Sequence, residues 1–111
     1  MTLRPPRWSS SSRTAPIAAL DYEIAQEQVS ALGRMGRALE AALAALADYE
    51  RAGDAGGDGA ARARLVQDAS DALWCFMVQR EAMGLRDPRP VLRDYRVPAE
   101  VQNRMGALGR R

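Results

Sequence analysis

PIAALDYEIAQEQVSALGRMGRALEAALAALADYERA, residues 16–52, decides the fold. Its apolar residues fall at Ile17, Leu20, Ile24, Leu32, Met35, Leu39, Leu43, Leu46 and Tyr49. Those steps are three and four residues, apart from one gap filled by Gln28, so the positions line one face of a single amphipathic helix. Pro16 suits a first helical turn, where its missing N–H is an orphan anyway, and Asp21, Glu23 and Glu27 sit toward the positive end of the helix dipole. At about 1.5 Å per residue the run is roughly 54 Å long, against about 35 Å for the diameter of a compact domain of this size. Such a helix must protrude, bend or lie against a second copy of the chain.

The rest of the chain is read outward from that helix. Hydrophobic residues make up 47% of the 111 positions but aromatics only 5%, because the apolar content is mostly alanine and leucine. Alanine loses no side-chain entropy in a helix, so an all-α fold is expected. The stretch GDAGGDG, residues 53–59, supplies the positive-φ tolerance that a chain reversal needs and joins the long helix to a second over 60–83. Gly84 closes that helix as a C′ residue, with Leu85 beside it. If the two helices form an antiparallel hairpin, residue 60+k lies opposite residue 52−k. Phe76 then faces Gly36, which gives that glycine a packing reason; Gly33, one turn away, is assigned to the same close-packed seam with Gly36 and Phe76.

Two apolar surfaces remain unmatched by this register: Ile17, Leu20 and Ile24 lie past the end of the second helix, and Trp74 and Val78 project from its face opposite Phe76. The segment after Leu85 is the candidate cover. Asp87 with Pro88 opens a short helix at 88–94, and Pro98 with Glu100 opens another at 98–105, anchored by Val91, Leu92, Tyr95, Val97 and Val101. Trp74 is expected to meet this clasp near Tyr95 or Val97. Residues 1–15, with Pro5-Pro6 and the serine run at 9–12, read as a disordered tail, 16–106 as one helical domain and 107–111 as a basic tail.

Composition excludes much chemistry. The chain has no histidine and no lysine, so it lacks the commonest general base and metal ligand, a Schiff-base nucleophile and a P-loop. Cys75, between Trp74 and Phe76, reads as an inert core thiol. The pairs Glu23 with Glu27 and Asp68 with Asp71 read as solvated helix faces, and the acids of the 53–59 loop lack the spacing of a calcium site. No catalytic, cofactor or metal residue is assigned. One cysteine, no apolar leader and no long uncharged apolar run give the expectation of a cytoplasmic protein without a membrane span.

Charge is uneven beneath a net +2: the first 16 residues are basic, the middle to 83 acidic, and the last 28 basic. That distribution keeps nucleic-acid binding open as the alternative reading. Residues 91–105 have the outline of helix, turn, helix, with Gln102, Asn103 and Arg104 placed to reach base edges and Arg96 at the turn position usually held by glycine.

LDYEIAQE at 20–27, ALWCFMVQRE at 72–81, GLRD at 84–87 and DYRVP at 94–98 resemble a family of small, functionally uncharacterised, all-helical bacterial proteins. The resemblance spans about residues 17–106 and implies a helical domain, with no activity attached. The sequence therefore leads to an all-α hairpin with two short C-terminal helices, completed by oligomerisation. Its expected role is that of a non-catalytic self-associating interaction or adaptor protein, with a homo-oligomer or another protein as partner and no cofactor. Ile17, Leu20, Ile24, Trp74 and Val78 are its candidate interface.

Overall fold

The structure, a computed structural model, describes residues 5–53 and 59–109, and side chains within 16–53 and 59–106. Four helices make up the chain: α1 (Pro5–Arg51), α2 (Gly59–Ala82), α3 (Arg89–Asp94) and α4 (Ala99–Gly109), with no strand among the described residues. The fold is all-α.

Its element ends follow local chemistry. α1 starts at Pro5 rather than at 16, so most of the expected tail at 1–15 has helical backbone; residues 1–4 lie outside the described residues. Pro5 and Pro6 occupy the first turn, where backbone N–H groups have no intrahelical partner to lose. Pro16 lies inside the helix instead of opening it, removing one internal hydrogen bond. α4 likewise continues to Gly109, into the expected tail at 107–111; residues 110–111 lie outside the described residues.

α2 ends in a Schellman motif. The Leu85 N–H donates to the Arg80 carbonyl at 2.8 Å and the Gly84 N–H to that of Glu81 at 3.0 Å, with Gly84 at φ +85°. At the start of α3, the Asp87 carboxylate accepts the Arg89 backbone N–H at 3.0 Å, which satisfies a first-turn donor.

The chain divides into two compact units, Met1–Ser30 and Ala31–Arg111. The hairpin register accounts for the boundary. Ala82, the last residue of α2, is as far beyond Ala60 as Ser30 is before Ala52, so the pairing available to α1 runs out there.

In the second unit the register is visible at two separate points. Arg62 of α2 donates through Nε to Glu50 of α1 at 3.0 Å, and Phe76 of α2 lies against Gly36 of α1. Leu39 and Leu46 from α1 and Val66, Ala69, Leu73 and Phe76 from α2 form one face of the core. Val91 of α3, Val97 of the following turn and Val101 of α4 close it. The buried Ser70 hydroxyl lies 2.9 Å from the Val66 carbonyl oxygen and 3.2 Å from that of Val101, so α2 and α4 approach closely at a small side chain.

Gly36 is the tightest point. A Cβ there would stand 2.9 Å from Tyr95 Oη and 3.4 Å from the Phe76 ring, and the two rings meet edge to face with centroids 5.5 Å apart. Gly33 has no such role, since a Cβ there would meet only the Arg37 guanidinium of its own helix, at 3.4 Å. The expected seam through both glycines is therefore a single contact at Gly36, because Gly33 points to a different side of α1.

Gly36→Leu forces overpacking that costs roughly 1 to 3 kcal/mol, whereas leucine's better helix propensity returns slightly less than about 1. The variant is expected to melt below the wild type in thermal denaturation followed by circular dichroism. A higher melting temperature would show that Phe76 and Tyr95 yield without cost.

Candidate functional site

Two surfaces carry unsatisfied apolar area. In the first unit, Ile17, Leu20 and Ile24 recur at helical spacing and are 58%, 54% and 49% exposed. Tyr22 and Val29 of the same segment are also exposed, and the Gln26 amide donates to the Tyr22 hydroxyl at 3.3 Å. In the second unit, Trp74 and Val78 of α2 are 43% and 46% exposed.

Trp74 is left 43% exposed rather than covered by the clasp. Tyr95 packs on Phe76 and Gly36, Val97 is buried in the core, and α4 bonds α2 at Gln67 and Ser70. Val66, Ala69, Ser70 and Leu73 form the buried small and apolar face of α2, and the Ser70 hydroxyl reaches the Val101 carbonyl on α4. Cys75 is exposed rather than a core thiol, because it shares an outer face with Val78, three residues on. That spacing was the available signal.

The residues assigned to nucleic-acid contact are split. Arg96, Asn103 and Arg104 are exposed, and Gln102 is half-buried. Gln102 donates through its amide to the Val97 carbonyl at 2.9 Å, and Arg104 donates through Nε to the Gln67 amide oxygen at 2.7 Å. Both serve to hold α4 in place. Arg96 takes φ +52°, a second Schellman geometry in which the Val97 N–H donates to the Leu92 carbonyl at 3.0 Å. A non-glycine residue there bears a steric cost of about 1 kcal/mol, tolerated because Val97 is thereby placed in the core.

Sequence reasoning missed the polar joint of the bundle. Arg62 donates to Glu50 of α1 and, through Nη1 and Nη2 at 2.9 and 2.8 Å, to both carboxylate oxygens of Glu100 on α4, so one guanidinium ties three helices. Its own pKa is raised, first by the Glu100 hydrogen bond and then by that of Glu50. The Glu100 carboxyl is held below the usual carboxylate range by Arg62. Asp87 is pulled down to about 2 by the hydrogen bonds from Arg89. Among the described residues no group of three acidic or sulfur ligands is placed to hold a metal, and no described helix is long and apolar enough to cross a membrane.

A family model for a family of unknown function, DUF6665, matches residues 10–111. The chain belongs to that family. Its match reaches beyond the resembling segments at 17–106 on both sides, taking in part of the helix before Pro16 and all of α4. No curated protein and no solved structure matches the chain.

Acidification reads the three-helix joint. A carboxyl whose folded pKa is depressed stabilises the fold above its unfolded pKa and loses that contribution as pH falls through the folded value. For Asp87 the window runs from the ordinary carboxylate range down toward pH 2, and Glu100 loses its contribution as pH falls below that ordinary range. The melting temperature is expected to fall between about pH 5 and pH 2, and to fall less in Glu100→Gln. An equal drop in the variant would show that the Arg62 pair does not contribute.

Proposed function

We propose that the chain is a non-catalytic, self-associating helical interaction or adaptor protein. The observation that carries this reading is the exposed stripe of Ile17, Leu20 and Ile24 on the N-terminal part of α1. Full burial of one such side chain contributes about 1.5 to 3 kcal/mol, so covering three that are half exposed gives roughly 3 kcal/mol per copy and about 6 for a pair. The cost of association starts at about 4 kcal/mol. A weak, concentration-dependent assembly follows, suited to a chain that meets its partners reversibly. A composition without histidine or lysine supports the non-catalytic part.

Light scattering at high micromolar concentration is expected to give at least twice 12.1 kDa. Leu20→Glu with Ile24→Glu should return the protein to a monomer whose second unit still unfolds cooperatively. A wild type that stays monomeric overturns the reading.

Nucleic-acid binding through α3, the turn and α4 is the second reading, favoured by the left-handed Arg96 that gives this reversal a helix-turn-helix outline. Fluorescence anisotropy with labelled duplex DNA separates the two. Counterion release requires affinity that drops steeply between about 50 and 200 mM salt. Absence of binding at the lower salt removes this reading.

A further inference from the structure

Charge along α1 changes sign where its exposed apolar stripe begins. Positions 5–16 hold Arg7 and Arg13 and no acid; positions 17–30 hold Asp21, Glu23 and Glu27 and no base. Both stretches belong to one helix, and Ile17, Leu20 and Ile24 occupy one side of it.

From this pattern we propose that the first unit pairs with the same unit of a second copy, and that the two α1 segments run antiparallel, centred near position 19. The proposal rests on the self-association reading and adds its geometry. Antiparallel pairing brings the base-only stretch of each copy alongside the acid-only stretch of the other, while Ile17 and Leu20 of the two copies face each other across the centre. Parallel pairing sets base against base and acid against acid, which repels at both ends. A partner of different sequence would need to supply this same order of charge; the second copy supplies it without further requirement.

The arrangement also explains why this part of α1 can carry an exposed apolar stripe. Its exposed isoleucines and leucine are flanked by charges that reject a parallel or shifted copy, so the segment selects one register instead of aggregating through a bare patch. Because Asp21, Glu23 and Glu27 are exposed, the pairing weakens as salt rises.

The test uses full-length protein with Cys75→Ser, which removes the chain's single cysteine, carrying either Ser10→Cys or Gln28→Cys. In the antiparallel pair position 10 of one copy lies beside position 28 of the other, while the two copies of position 10 stand about 27 Å apart. A short bismaleimide is added to each variant alone and to an equimolar mixture, and light scattering follows the oligomeric state. A mixed cross-linked dimer in the mixture, with none from Ser10→Cys alone, supports the proposal. Cross-linking of Ser10→Cys to itself, or a dimer by scattering that gives no mixed product, overturns it and leaves the self-association reading standing. A monomer under all conditions overturns both. Independently, Arg7→Glu with Arg13→Glu should raise the dimer dissociation constant at least about tenfold at low salt. Adding Asp21→Arg, Glu23→Arg and Glu27→Arg to that variant should restore it. An unchanged dissociation constant in the double variant overturns the charge argument.

Discussion

Everything in the helical bundle depends on the close approach of α1 and α2 at Gly36. With no side chain at that position the Phe76 ring moves against the α1 backbone, and Tyr95 comes in from the C-terminal segment to fill the remaining space. One missing Cβ thus brings together three parts of the chain that are far apart in sequence. The register this contact sets is the same one that places Arg62 opposite Glu50 near the loop end of the hairpin. Between those two points Leu39, Leu46, Ala69 and Leu73 are buried. A slip by one residue would rotate every one of them off the shared face.

The C-terminal segment completes this core by two chain reversals of the same hydrogen-bonded form. Gly84 and Arg96 both take positive φ at helix C-termini, and each reversal sends the chain back toward the groove. Glycine adopts that backbone without cost; arginine does not, and its compensation is the burial of Val97 directly after it. Arg62 then fastens α4 from outside through Glu100, so the clasp is held by valines on its inner side and by an ion pair at its edge.

The fold class, the hairpin and the two short helices were legible because alanine-rich periodicity, a glycine-rich loop and two proline-opened segments each act locally. Phe76 and Gly36 could be paired because the chain has one phenylalanine and an anomalous glycine level with it. Gly33 carried the same anomaly without a partner, and sequence alone did not separate the two. The side of α2 that the clasp would cover was not legible, since both faces of its C-terminal half are apolar and the choice depends on the small residues at Ala69 and Ser70. That choice left Trp74, Val78 and Cys75 outside. Arg62 was invisible for a different reason, as arginines and glutamates occur throughout the chain and nothing local marks the one that spans three helices. Of the candidate interface, the exposure of Ile17, Leu20 and Ile24 followed from counting the helix lengths.

α1 divides its roles along its length: residues after Ser30 contribute to the core of the second unit, and residues before it carry the exposed apolar stripe that the proposed second copy covers. Native-state hydrogen exchange at two protein concentrations addresses this directly. Amides in 31–51 should show protection independent of concentration, while those in 17–30 should exchange fast in dilute solution and gain protection as concentration rises. Strong protection of 17–30 in dilute monomer, or fast exchange there at every concentration, would contradict the account.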